Sequence, residues 1–285
     1  GDPDQLPSVG AGNLFADLIR SGRVETVRLT EIFRQASQSL IVMNAHAVNH
    51  GELPVLNRTD RDFFFLRRRD PEAVVQTIAQ LCQTRLPKNM GIPATEIQVL
   101  SPTRKGETGT KNLNLALQAV LNPPAAGKKE KRYGDFSFRE GDRVMQIRNN
   151  YDILWKNPNG LGAGTGIFNG DIGVIVQIDY EAELVTVDFD DKRAEYAFDL
   201  LGELEPAYAM TIHKSQGSEY RAVILSAFAG SPYLLTRSVL YTAITRAREL
   251  LIVVGDEEVL AAMVRNDRRQ KRYSGLKLRL EEGTA

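Results

Sequence analysis

Apolar residues recur along the chain in two rhythms, and the change between them divides it. The first part is helical in spacing. Leu14, Phe15, Leu18 and Ile19 fall on one face of residues 13–20. Ile32, Phe33, Leu40, Ile41 and Val42 do so between 30 and about 49, and Val74, Val75, Ile78 and Leu81 within 71–83. Ser21-Gly22 breaks the first helix, and Thr30 is placed to cap the second, with Glu31 in its first turn. Between these, 24–29 alternates like a strand, and the apolar runs at 63–66 and 97–100 read as strands too. Residues 110–121 (TKNLNLALQAVL) return to helix. From Phe136 the period becomes two: 139–149, 170–179 and 184–189 predict short strands joined by turns, a small five-strand-type barrel in about 60–70 residues. From about Glu203 the mixed pattern resumes. Residues 207–220 (AYAMTIHKSQGSEY) predict a helix stopped by Gly217, 222–225 a buried strand, and 239–248 (VLYTAITRAR) a helix. The fold class expected is α/β with an inserted β module.

Composition narrows the picture. Residues 122–133 hold two prolines, a glycine and the run KKEKR, and read as the connection into the inserted module. At 285 residues the chain holds one large or two modest domains. Lys+Arg 36 against Asp+Glu 36 leaves no net charge, so any nucleic-acid surface must be local. The single cysteine, Cys82, sits in an apolar helical pattern, which excludes an internal disulfide and a cysteine-rich zinc site. No apolar run reaches membrane-span length and no signal peptide opens the sequence, so a cytoplasmic location without membrane partners is expected. The opening GDPDQLPSVGAG, without an initiator methionine, reads as the start of a fragment.

Candidate chemistry concentrates in a few places. Thr211, His213, Lys214, Ser215 and Gln216 form a dense set of small donors and one cation, suited to phosphate oxygens or sugar hydroxyls. The structural alternative is a solvated helix end favouring a cation. Thr103, Arg104 and Lys105 follow a predicted strand, where α/β sheets place ligand contacts. Arg246 and Arg248, two apart on a helix, would point about 200° from one another, so only one could face a given phosphate. Other stretches favour structural readings. Phe63–Phe65 with Arg67, Arg68 and Arg69 could be a stacking platform, but buried phenylalanines leading into a solvated turn account for them better. The glycines of 160–166 match neither dinucleotide-binding nor Walker A spacing and read as a surface loop. Asp188, Asp190 and Asp191 read as a hairpin turn rather than metal ligands. His46 and His50 have no glutamate between them and read as helix-surface or packing residues. No G-x-x-x-x-G-K-[ST] occurs, and no acid pair of Walker B type precedes Gln5.

Four short motifs occur in a telling order: GDPDQLP at 1–7, EIFRQ at 31–35, TIHKSQGSE at 211–219 and YTAITRAR at 241–248. Together they resemble motifs III, IV, V and VI of superfamily 1 helicases, closest to the RecD-like (superfamily 1B) ATP-dependent DNA helicases. The resemblance runs across nearly the whole chain. It implies a RecA-like P-loop NTPase-fold second motor domain with an inserted SH3-like β-barrel. Its divisions would be 1–28 as a remnant of the first motor domain, 29–130 and 204–285 as the second, and 131–203 as the barrel. By the same resemblance Arg34 and Arg246 are arginine fingers, and Gln5 reads the γ-phosphate and its attacking water. Asp2 lies nearby, while Gln216, Gly217 and Glu219 meet the nucleotide. Thr103, Arg104, Lys105, Asn114, Thr211, His213 and Lys214 face single-stranded DNA. ATP and Mg²⁺ are implied as cofactors, held mainly by the absent first motor domain, which is itself an implied partner. Polarity 5′ to 3′ and inactivity of this piece alone are implied as well. A standalone single-strand-binding or regulatory module and an RNA helicase of the same superfamily are the alternatives.

Overall fold

The structure is a computed structural model and describes residues 1–7, 10, 12–29, 38–160, 162–228, 230–268 and 274–283. In chain order the elements begin with α1 (Leu14–Ser21), α2 (Leu40–Asn49) and β1 (Phe63–Arg67). Helix α3 (Pro71–Gln80) runs through a π turn at Leu81–Arg85 into α4 (Leu86–Met90), followed by β2 (Ile97–Ser101) and α5 (Thr110–Leu121). Then come β3 (Glu130–Tyr133), β4 (Phe136–Arg139), β5 (Arg143–Gln146), β6 (Asn150–Lys156) and β7 (Ala163–Ile167). Next are β8 (Ile172–Asp179), β9 (Leu184–Phe189), β10 (Lys192–Ala197), β11 (Leu204–Pro206) and β12 (Ala209–Thr211). The last elements are β13 (Tyr220–Ala227), α6 (Arg237–Ile244), β14 (Ala247–Gly255), α7 (Glu257–Arg265) and α8 (Leu276–Glu282). The class is α/β, as the sequence predicts. The chain forms two compact units, one of residues 1–69 and 216–285, the other of 70–215.

In the first unit the strands pair in parallel in the order β1–β14–β13. Leu250–Val254 on β14 and Ala222–Ala227 on β13 are buried without alternation, as expected where helices cover both faces of a parallel sheet. Ser39 caps α2, its hydroxyl accepting from the Val42 N–H at 3.3 Å, so the described helix begins well after Thr30. The predicted cap at Thr30 and the first turns after it lie outside the described residues. On β1 only Phe63 is fully buried, and Arg67 turns outward to pair with Glu257, which supports the structural reading of that aromatic-basic run. His46 and His50 are both exposed on α2, with the His50 ring bonded to the His46 carbonyl. The predicted strand at 24–29 is not formed. That segment is irregular, with Val27 84% and Leu29 94% exposed, and among the described residues no strand pairs with it.

In the second unit Asp70 caps α3 by accepting from the Ala73 N–H at 2.8 Å, with Pro71 at the first helical position. Burial pushes the Cys82 thiol up to about 12, which makes it an inert core residue. Strands β2 and β12 pair in parallel, Leu100 opposite Met210 and Ser101 opposite Thr211. The predicted helix over 207–217 is therefore a strand followed by a single turn. The reason is that its backbone groups are already taken. The Ala207 N–H donates to the Arg143 carbonyl at 2.8 Å. The Asn114 amide donates to the Ala209 carbonyl and accepts from the Ala209 N–H, both at 2.8 Å.

The inserted module is a seven-stranded antiparallel sheet in the order β11–β5–β8–β9–β10–β6–β7, larger than the five strands predicted. Period-two burial is visible on β9, where Val185, Val187 and Phe189 are buried and Leu184, Thr186 and Asp188 are half-exposed. Their inner faces close on Ile167, Ile175, Ile178 and Tyr196. The glycine-rich stretch read as a surface loop becomes β7 from Ala163 onward. Gly164 lies against the Trp155 ring, where a Cβ would sit 2.6 Å from the indole, so glycine serves packing there. Asp190, at φ 51°, turns the β9–β10 hairpin, and Arg193 pairs back to Asp188 at 2.6 Å.

One buried carboxylate ties this unit together. Asp142 has no exposed surface. It accepts from Gln118 Nε2 at 2.6 Å, Asn122 Nδ2 at 2.7 Å, the Arg139 N–H at 2.7 Å and Tyr208 Oη at 2.9 Å. Burial raises its pKa and these donors pull it back, with a net upward direction. Its contribution to stability therefore falls as pH rises through that pKa. In Asp142→Asn an amide N–H would face donors only. The expected loss is roughly 1–3 kcal/mol, together with that pH slope, read from urea unfolding of both proteins across acidic to neutral pH. Unchanged midpoints would show that the carboxylate is dispensable.

Candidate functional site

The first unit gathers one set of predicted residues around a guanidinium. Helix α6 is capped by Thr236 and ends at Ile244, and β14 begins at Ala247, so Arg246 sits at a helix-to-strand junction. This corrects the reading of 239–248 as one helix, and with it the 200° argument. Arg246 and Arg248 still part company, because Arg246 is 5% exposed while Arg248 is exposed on β14. Arg246 Nη2 donates to Gln5 Oε1 at 2.8 Å and to Thr245 Oγ1 at 3.3 Å. Its Nη1 donates to the Ser218 carbonyl at 2.9 Å and its Nε to the Thr242 carbonyl at 3.2 Å. Lysine could not form this set, which needs a planar fork with several directed N–H groups.

The loop at 1–7 is fastened at further points. Thr242 Oγ1 accepts from the Leu6 N–H at 2.9 Å, and Gln216 Nε2 donates to the Leu6 carbonyl at 2.6 Å. Asp2 accepts from Tyr241 Oη at 2.8 Å, from Gln5 Nε2 at 3.3 Å and from the Asp4 N–H at 3.0 Å. Burial first, and then the bond and charge of Asp2, push the Tyr241 phenol well above its ordinary range, so it remains a donor. Asp2, Gln5, Gln216 and Arg246 are thus brought together. Gly217 takes φ 82° in an exposed turn, a left-handed conformation suited to glycine, and Glu219 is exposed. Arg34 lies outside the described residues. Tyr241, Thr242 and Ser218 were not singled out in the sequence. The signal was there, since each is a polar residue inside one of the four motifs.

The second unit holds the other set. Ser101 Oγ accepts from the Thr103 N–H at 3.3 Å and donates to the Thr108 carbonyl at 3.0 Å, shaping the loop after β2. Thr103 is buried at 8% exposure, whereas Arg104 and Lys105 are exposed. The turn after β12 presents His213 outward, with Lys214 and Thr211 half-buried and the Lys214 N–H bonded to the Thr211 carbonyl at 2.9 Å. Asn114 is 5% exposed with its amide engaged on Ala209, so the structure places it in support of β12 rather than on the surface. Arg104 and Lys214 meet on Glu205, a residue the sequence gave no reason to choose. Arg104 Nη2 lies 2.5 Å from Glu205 Oε1 and Lys214 Nζ lies 2.7 Å from Oε2. Among the described residues no group of three or more His, Cys, Asp or Glu side chains could hold a metal ion.

Family models match in three places: the ATP-dependent RecD-like DNA helicase SH3 domain over 113–189, the UvrD-like helicase C-terminal domain over 206–254, and an AAA domain over 1–64. The ATP-dependent RecD2 DNA helicase of Deinococcus radiodurans is 33% identical over 90% of this chain. The RecBCD enzyme subunit RecD of Mycobacterium tuberculosis is 29% identical over 99% of it. The chain spans only 32% and 48% of the lengths of those two proteins. A crystal structure of Pif1 helicase from Bacteroides aligns over 95% of this chain and 63% of that one, with 17% identity and a TM-score of 0.48, too loose a likeness to transfer any residue's role.

Replacing Tyr241 by Phe removes one of the donors on Asp2 without changing the ring. The expected effect is a loss of about 1 kcal/mol, with faster amide exchange at Asp4 and Leu6 by mass spectrometry. Unaltered exchange there would mean that Thr242 and Arg246 hold the loop unaided.

Proposed function

The chain belongs to the RecD-like superfamily 1 helicases, and from that premise we propose that it is the C-terminal motor half of an ATP-driven 5′-to-3′ DNA translocase. The observation that carries this reading is the buried Arg246 guanidinium, which binds Gln5, Ser218 and Thr242 from three separate motifs. Phosphoryl transfer asks a protein mainly for positioned charge, and a planar cation beside an amide suits the oxygens of a terminal phosphate. Arg246 and Arg34 would stabilise charge on the transferred phosphoryl group, and Gln5 would orient the attacking water. Asp2, Gln216, Gly217 and Glu219 would complete the nucleotide-facing side. The donor set fits only that side of ATP. No phosphate-cradling loop of Walker A type is present in the sequence. ATP and Mg²⁺ would therefore be held mainly by a first RecA-like motor domain of the same polypeptide, completed here by residues 1–28.

Residues 29–130 and 207–285 would make up the second motor domain and 131–206 the SH3-like insertion, the boundary moving from 203 because β11 pairs with β5 in the inserted sheet. Arg104, Lys105, Thr211, His213 and Lys214 would face single-stranded DNA, with Thr103 and Asn114 shaping the elements that carry them. No helix among the described residues is long and apolar enough to cross a membrane. A standalone single-strand-binding module is the second reading, and Gln5 paired with Arg246 argues against it, because strand binding alone has no use for a phosphate sensor.

Two measurements test the proposal. The 285-residue chain by itself should show no ATP turnover with or without single-stranded DNA; turnover abolished by Arg246→Ala would place the whole nucleotide site within it. In the complete polypeptide, Arg34→Ala and Arg246→Ala should each lower turnover at least about a hundredfold, while nucleotide-free DNA affinity stays unchanged. Normal hydrolysis with lost DNA binding would reverse the assignment.

A further inference from the structure

Two cations from separate loops converge on one carboxylate in the second unit. Arg104 follows β2 and Lys214 follows β12, two adjacent parallel strands, so both come from the carboxyl end of the same strand pair. Glu205 comes from elsewhere. It lies on β11, at the edge of the inserted sheet, opposite Met145 on β5. Its two oxygens are divided between the cations, Oε1 with Arg104 at 2.5 Å and Oε2 with Lys214 at 2.7 Å. The Glu205 side chain is 18% exposed, while Arg104 is 63% and Lys214 31% exposed. The carboxylate is therefore tucked beneath cations that solvent can reach.

A carboxylate and a phosphodiester both offer two anionic oxygens, and the same pair of donors suits either. Ion pairs with this much solvent access hold weakly, so a strand phosphate could displace one without an unfavourable rearrangement. We propose that Glu205 is an internal competitor for strand phosphate. It holds Arg104 and Lys214 together when no strand is present, yields them to a phosphodiester, and recaptures them on release. The inserted sheet thereby acts on strand affinity through one negative charge, in addition to any surface of its own. This rests on the proposed nucleic-acid role of the two cations, and the test separates the two ideas.

The experiment measures binding of a fluorescent oligothymidylate to the complete polypeptide, without nucleotide, over a range of salt. Glu205→Gln should tighten binding about three- to tenfold, with the gain shrinking as salt rises. Glu205→Asp, which keeps the charge but shortens the reach, should fall between Gln and the unmodified protein, and it serves if the Gln variant misfolds. Arg104→Ala and Lys214→Ala should each weaken binding. In the Arg104→Ala/Lys214→Ala background, Glu205→Gln should change affinity less than about twofold. An equal gain in that background would show a general charge effect and overturn the competitor role. Unchanged or weaker binding by Glu205→Gln, with the cation variants impaired, would overturn it too while leaving the interface reading intact. Cation variants that bind as tightly as the unmodified protein would overturn both.

Discussion

A carboxylate without exposed surface has to be over-determined by its surroundings, and Asp142 is the constraint on which the second unit turns. Its partners come from α5, from the backbone at the end of β4 and from Tyr208 just before β12. Desolvation of such a group is costly, so a buried charge is a poor source of net stability. What it provides here is register. With Gln118 and Asn122 fixed on Asp142, α5 presents Asn114 to the Ala209 backbone, and β12 is aligned against β2 from both sides. The turn that carries His213 and Lys214 takes its position from that alignment.

The first unit solves a related problem with the opposite charge. Arg246 joins the loop at 1–7, the turn at Ser218 and the last turn of α6, three segments far apart in sequence. The first two are irregular stretches and the third is a helix end, where carbonyls lack regular backbone partners and need side chains to satisfy them. Gln5 and Arg246 therefore hold each other across two of these segments. Under the function proposed above, the side chain that fixes this part of the fold would be the same one that meets the phosphate.

Much of this was legible in the sequence, and the misses share a cause. Helices α3 and α5 and strands β2 and β9 follow from apolar spacing because each buries apolar residues. Helix α1 and strand β1 form where predicted, although Leu14 and Phe15 are exposed and only Phe63 of β1 is fully buried. The segment 207–217 did not, since Ala207, Met210 and Ile212 fall at helical intervals but Asn114 and Arg143 claim its backbone from a distance. Periodicity carries no trace of such a long-range claim. Strand β7 was hidden for another reason: its glycines look like a loop until Trp155 is laid against Gly164. Residue types at the candidate site survived better than backbone states. Arg246 was picked for its guanidinium, and that guanidinium is buried among directed hydrogen bonds although it is not on a helix.

The resemblance assigns Lys214 to the strand and Gln216 to the nucleotide, and in the structure these two side chains have different partners. Lys214 is engaged with Glu205, whereas Gln216 is engaged with the Leu6 carbonyl. Between them Ser215 is buried, with its hydroxyl on the Ile212 carbonyl at 2.8 Å and its N–H on the turn. The two candidates are thus separated in sequence by a single buried, hydrogen-bonded residue. The mixture of small donors in this motif reflects local demands: Ser215 closes the turn while Lys214 and Gln216 on either side bond to different groups.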